Sequence, residues 1–151
     1  MVNLRPRVFV TRRFFPEALE VLTDAAETEV WPHDEPPTPE QLLEKIDGAD
    51  GVLTNIMDNV DADVLRAAHR LKVVSQLGVG VDNIDVAEAT RRGVLVGNTP
   101  GVLAKATADI GFGLLMSAAR RIGESERWLR AGKWTMQYHP MVWLGAEVHG
   151  A

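Results

Sequence analysis

Residues 72–80 read Lys72-Val73-Val74-Ser75-Gln76-Leu77-Gly78-Val79-Gly80 (KVVSQLGVG), a β-rich run that breaks into a Gly-x-Gly turn. Four more short β-rich runs lie around it: Arg7–Thr11 (RVFVT), Thr28–Trp31 (TEVW), Gly51–Thr54 (GVLT) and Val94–Gly97 (VLVG). The starts of the five runs are 21, 23, 21 and 22 residues apart. That interval holds one helix and two connections, which predicts βαβ units and a parallel sheet flanked by helices on both faces.

Helix punctuation sits in the gaps. Pro16 suits the first turn of a helix reaching about Ala26, with Leu19 and Leu22 inward. Thr38-Pro39-Glu40-Gln41 reads as an N-cap, a proline at the first helical position and a capping-box glutamine. Gly48 stops that helix. Asp61 caps a third (Ala62–His69), with Val64, Leu65 and Ala68 on one face. Asp85 caps a fourth, and Gly93 stands where a left-handed C-terminal glycine belongs. After Asn98-Thr99-Pro100-Gly101 the pattern changes. A long helix is expected from about Val102 to Arg121, and its many small and apolar residues predict burial on most sides. A charged helix (about Gly123–Ala131, stopped by Gly132) and an aromatic stretch, Trp134–Leu144, follow. Residues 1–100 are therefore assigned to a compact α/β domain, and residues 101–151 to a helix and an arm.

Composition narrows the function. The 151 residues are 46% hydrophobic and 25% charged, as in an ordinary globular domain. Sixteen Lys+Arg against 21 Asp+Glu leave a net charge of −5, which argues against a nucleic-acid partner. The absence of cysteine excludes disulfides, thiol catalysis and Cys-ligated zinc. The longest apolar run, Ile110–Ala119, carries two glycines and is too short to span a membrane. Met1–Arg7 lacks the apolar core of a signal peptide, so a cytoplasmic location is expected. The four histidines are scattered and form no i, i+4 pair with another ligand type, so packing or surface roles are expected and no metal is assigned.

Ligands of open parallel sheets bind beyond the carboxyl ends of the strands. This selects Arg12-Arg13, Pro32–Asp34, Asn55–Asn59, Gly78-Val79-Gly80 and Asn98-Thr99. The Gly-x-Gly turn is not a dinucleotide fingerprint, because Asn83 occupies the third glycine position and no acid follows the next strand. Its glycines either permit a tight turn or expose N–H groups able to hold a carboxylate or phosphate. Asp82 and Asp85 read as caps, Arg12-Arg13 as a solvated pair, and Arg120-Arg121 as a response to a helix dipole. Asp109, inside an apolar helix, would need partners if buried. Trp128, Trp134 and Trp143, three of the four tryptophans, fall in the last 24 residues, where interface use is at least as expected as internal packing.

Arg7–Arg13 (RVFVTRR), Leu71–Val86 (LKVVSQLGVGVDNIDV), Arg92–Val102 (RGVLVGNTPGV) and Thr107–Arg121 (TADIGFGLLMSAARR) together resemble the N-terminal part of the D-2-hydroxyacid dehydrogenases. Within them the likeness is to glyoxylate/hydroxypyruvate reductases. It covers essentially the whole chain, with several motifs in order. It implies a flavodoxin-like, doubly wound substrate domain followed by a long helix and an extended arm, with the Rossmann nucleotide domain largely missing from these residues. It further implies hydride transfer between NAD or NADP and a small 2-keto or 2-hydroxy acid, in a homodimer built on the arm. Carried over by position, the backbone N–H groups of Val79 and Gly80 would hold the substrate carboxylate, Leu53 and Asn55 would line the pocket, and Thr107 would contact the cofactor. The family's catalytic Arg, Glu and His would lie past Ala151, so no catalytic residue is assigned and the 151 residues alone are expected to be inactive. Asp109 stands where relatives carry Glu, and Tyr138 where reductases of hydroxypyruvate place an arm tryptophan. A non-catalytic flavodoxin-like binding or dimerisation module is the alternative.

Overall fold

The computed structural model describes residues 5–135 and 139–150. Two compact units emerge, Met1–Gly101 and Val102–Ala151. In the first unit, β1 (Arg7–Val10), α1 (Pro16–Ala25), β2 (Glu27–Val30), α2 (Pro39–Ile46), β3 (Gly51–Asn55), α3 (Ala62–Ala67), β4 (Val73–Leu77), α4 (Val86–Arg92) and β5 (Leu95–Gly97) alternate without exception. All five runs expected from the sequence are strands, and all pair in parallel in the order β2-β1-β3-β4-β5. This is the flavodoxin-like order, whose switch point lies between β1 and β3.

Right-handed crossovers put α1 on one face and α2, α3 and α4 on the other. The strands show the resulting alternation. Phe9, Val52 and Val74 are buried in a core with Leu42, Ile46, Val64, Leu65 and Ala89 from the three-helix side. Val8, Leu53 and Val73 face the opposite way, along a groove with Ala18, Val21 and Leu22 of α1. Leu19 and Leu22 are the only residues of α1 that are not fully exposed, in line with their inward placement. On this thinner face Leu77 and Leu95 remain exposed.

The expected caps form. Thr38 Oγ1 accepts from Gln41 N–H at 3.3 Å and Gln41 Oε1 from Thr38 N–H at 2.9 Å, closing the capping box of α2. Asp61 Oδ1 accepts from the N–H groups of Asp63 and Val64, and Asp85 Oδ1 from that of Glu88. Gly48 and Gly93 adopt φ of 74° and 70°, the left-handed conformation that only glycine takes without strain. Glu88, buried in the first turn of α4, draws in Arg66 of α3 together with Arg91 and Arg92.

Asp50 anchors the amino end of the sheet. Its buried carboxylate accepts from Arg7 N–H at 3.0 Å, Arg70 Nη2 at 3.1 Å and Lys72 Nζ at 3.2 Å. The Arg7 N–H above all, with Lys72 and Arg70 beside it, holds this carboxyl below the usual carboxylate range against the effect of burial. A depressed folded-state pKa stabilises the fold fully above the unfolded value of about 3.9 and ceases to do so as pH falls through the still lower folded value. Asp50→Asn is therefore expected to lower the urea midpoint at pH 7, and the gap to the parent chain is expected to narrow in measurements near pH 3.

The second unit holds α5 (Ala104–Ala119) and α6 (Ile122–Arg130). The burial expected for α5 is corrected. Every residue from Ala104 to Leu115 is exposed, because within the unit only the carboxyl end of the helix, at Met116, Ser117 and Ala119, is partly covered. Asp109 is consequently solvated and needs no buried partner. The segment after residue 139 folds back on the junction of the two helices. Ala146 N–H donates to Ala119 O at 2.8 Å, and a Cβ on Gly145 would collide with that same oxygen, so only glycine fits there. Trp128 and Trp143 pack edge-on at 5.2 Å, and the Arg121 guanidinium lies 4.9 Å from the Trp143 ring centre while ion-pairing with Glu124 at 2.7 Å. Arg121 thus has specific partners beyond a helix dipole, and two of the three late tryptophans pack internally. Trp134 remains 57% exposed. Tyr138 lies outside the described residues.

Candidate functional site

The carboxyl ends of β1, β3 and β4 carry a continuous polar network. Its root is Asp58, whose side chain is 1% exposed. One of its carboxylate oxygens accepts from Thr11 Oγ1 at 2.5 Å and from Asn55 N–H at 2.9 Å, and the other faces Arg12 Nη2 at 3.4 Å. Two strand-end segments, those after β1 and β3, are thereby tied to one carboxylate. Arg12 is an ion-pair partner rather than the solvated residue expected from its neighbour Arg13. Arg12, Arg13, Phe14, Phe15, Asn55 and Leu77 wall a hollow at this end of the sheet.

A second set of bonds joins the loop after β3 to the loop after β4. Gln76 is fully buried on the core side of β4. Its Oε1 accepts from Thr54 Oγ1 at 2.8 Å, and its Nε2 donates to Asn83 Oδ1 at 2.7 Å and to Gly80 O at 3.3 Å. Asn83 Nδ2 donates in turn to Asp58 O at 2.6 Å and Asn55 O at 3.2 Å. Val60 and Ile84 continue the parallel pairing past the strand ends. The two loops therefore form one rigid piece.

Within it, the Gly78–Gly80 turn has an unusual distribution of bonds. The carbonyls of Gly78, Val79 and Gly80 are each held, by Thr99 N–H at 2.9 Å, Asn98 Nδ2 at 2.8 Å and Gln76 Nε2. The N–H groups of Val79 and Gly80 have no acceptor among the described residues. Neither Gly78 nor Gly80 has positive φ, so a left-handed turn is not why glycine is present. Gly78 is required by space: a Cβ there would stand 2.6 Å from Ile56 Cγ2. Val79 is 51% exposed. Two outward N–H groups on a turn whose carbonyls are all engaged make a concavity suited to an anion.

Of the residues selected from the sequence, Asn55, Val79 and Gly80 come together here. Asn55 uses its own Oδ1 to accept from Met57 N–H at 2.8 Å, which shapes the β3–α3 loop. Leu53 lines the groove beneath α1 instead, and Thr107 is exposed on α5 in the second unit. Asp58, Gln76 and the bonding of Asn83 escaped the sequence. The one available signal was Gln76, a polar residue at an inward position of an otherwise apolar strand. Asn83 also bears on a nucleotide. It stands at the position of the third fingerprint glycine and its amide is engaged by Gln76, Asp58 and Asn55, so this turn is no cradle for a dinucleotide.

A doubly wound sheet in this order, with the Gly78–Gly80 turn past β4, defines a flavodoxin-like α/β domain. The chain belongs to the D-isomer specific 2-hydroxyacid dehydrogenase family, whose catalytic-domain model matches residues 8–139. A glyoxylate reductase of Aeropyrum pernix is 49% identical over 149 residues, spanning 97% of this chain and 44% of that protein. The crystal structure of a Thermus thermophilus protein superposes with a TM-score of 0.84 at 40% identity, over 93% of this chain and 45% of that one. The NADPH-dependent glyoxylate/hydroxypyruvate reductase of Sinorhizobium meliloti, crystallised with NADP and malonate, matches with a TM-score of 0.73 at 29% identity, over 97% and 44%. The chain thus spans under half the length of these relatives. Members of the family are oxidoreductases that use a nicotinamide cofactor, and no helix among the described residues is long and apolar enough to cross a membrane.

Proposed function

We propose that this chain supplies the substrate-carboxylate site of an NAD(P)-dependent 2-hydroxyacid dehydrogenase acting on glyoxylate, hydroxypyruvate or a similarly small 2-keto acid. The observation that carries the proposal is the pair of unengaged N–H groups at Val79 and Gly80, on a turn whose carbonyls are pinned from behind. A carboxylate there would accept two charge-assisted hydrogen bonds without needing a cationic side chain. The loops after β3 and β4 would fix the substrate's orientation, and Asn55 would stand beside it. Thr107 is the position proposed to meet the cofactor. One hydroxyl on a helix face is not a cofactor site, so the nucleotide and the proton-transferring residues are assigned to the part of the relatives that these 151 residues do not span. The 151-residue chain alone is accordingly proposed to be inactive.

Amide-resolved NMR titration of the chain with glyoxylate tests this. Saturable downfield shifts of the Val79 and Gly80 amide protons are expected. Silence at both amides up to tens of millimolar would favour the non-catalytic module.

A homodimer is part of the same proposal. Ile110, Phe112, Leu114 and Leu115 of α5 are 50–67% exposed, and Trp134 and Met141 of the arm are exposed as well. Large apolar side chains left to water on more than one side of a helix mark an interaction surface. Sedimentation at micromolar concentration is expected to give twice the mass of one chain, shifting toward the monomer in Trp134→Ala. Trp143, packed against Trp128, is not expected to contribute.

A further inference from the structure

We infer that Asn98 is a positioning residue: its side-chain amide holds the Val79 carbonyl so that the Gly80 N–H points toward the substrate carboxylate. The inference rests on the carboxylate site proposed above. It begins from peptide geometry. In a trans peptide the C=O and the N–H point in opposite directions, so whatever fixes the carbonyl also aims the N–H. The Gly78–Val79 peptide is fixed by a backbone donor, Thr99 N–H, which no side-chain change removes. The Val79–Gly80 peptide is fixed, among the described residues, by one group, Asn98 Nδ2, at 2.8 Å.

That peptide is also the one most in need of restraint. A glycine lies on either side of Val79, and glycine offers little steric resistance to backbone rotation. A flip of the Val79–Gly80 unit would turn a donor into an acceptor at the point where an anion is to bind. The assignment of the Asn98 amide is unambiguous, because its partner is a carbonyl oxygen and only the NH₂ end can serve it. Asn98 is itself exposed, beyond the end of β5 and outside the hydrophobic core. Its bond reaches back 19 residues in sequence to a loop that Thr99 and Gln76 already attach to the fold. The bond is therefore not needed for stability and is explained by the orientation it imposes.

Asn98→Ala separates the two roles. The thermal midpoint is expected to stay within about 2 °C of the parent, as for other exposed substitutions. In the glyoxylate titration, affinity is expected to fall by at least about tenfold, the effect of losing one hydrogen bond to a charged group. The residue-level pattern is diagnostic: the Gly80 amide shift collapses while the Val79 shift, still aimed through Thr99, persists. Thr90→Ala is the control, since that exposed hydroxyl bonds only Val86 O within α4 and should alter neither amide. Unchanged affinity with a full Gly80 shift in Asn98→Ala would overturn the positioning role alone. A parent chain in which neither amide responds would overturn the carboxylate site and this inference with it. A large drop in thermal midpoint would show that Asn98 acts in folding, and would also overturn it.

Discussion

Gly78→Ala is expected to weaken glyoxylate binding by at least about tenfold while leaving the sheet intact, because small displacements of a positioned donor are costly. The Cβ would fall 2.6 Å from Ile56 Cγ2, closer than two carbons can approach. Ile56 is itself exposed, but its Cγ2 is carried on a branched Cβ and cannot swing far from the backbone. The loops after β3 and β4 must then move apart, straining the bonds from Asn83 Nδ2 to Asp58 O and Asn55 O that join them. The double variant Ile56→Ala/Gly78→Ala removes the colliding methyl and is expected to recover most of the loss. The same NMR titration measures the parent, Gly78→Ala, Ile56→Ala and the double variant, and this four-member cycle isolates the contact. Normal binding by Gly78→Ala would mean that the turn tolerates displacement and does not act as a fixed donor pair.

Asp58→Ala is expected to destabilise the first unit by about 3–5 kcal/mol, the range for removing one partner of a buried, hydrogen-bonded charge cluster. The Asn55 N–H loses its acceptor, the Arg12 guanidinium loses its carboxylate, and the fully buried Thr11 hydroxyl is left with Leu53 O alone at 3.2 Å. Asp58→Asn retains a carbonyl oxygen and is expected to cost less. Urea unfolding followed at the amide signals of β1 and β3 reads the first unit by itself. A loss below about 1 kcal/mol, the size of an ordinary surface effect, would show that water replaces the carboxylate without penalty.

Asp58 and Asn98 illustrate how unevenly the site could be read from the chain. The strand-end segments were legible because a parallel sheet places its ligands at one edge, and that edge follows from strand spacing alone. The Gly78–Gly80 turn was legible as a pair of glycines after a strand, but the reason for Gly78 was not. No local pattern reveals that the Ile56 methyl group lies against it. Gln76 carried a weak signal, a polar residue in phase with Val74. Asn83 was noticed only as a missing glycine, although its amide is what locks the two loops together.

For this protein the sequence by itself determined the elements and their order. Caps, helix-stopping glycines and strand spacing are local or periodic properties, set by backbone sterics and by which residues alternate in apolarity. The flavodoxin-like strand order was implied by the family resemblance, and the right-handed crossover rule then places the helices on the two faces. Only the tertiary structure decided which polar groups meet. It tied Thr11 and Arg12 to Asp58, held the Val79 carbonyl with Asn98, left the Val79 and Gly80 N–H groups without an acceptor among the described residues, and exposed α5 where apolar composition had suggested burial. Hydrogen bonds and close contacts between residues about 20 to 50 positions apart depend on three-dimensional placement to a fraction of an ångström, and no one-dimensional pattern encodes that.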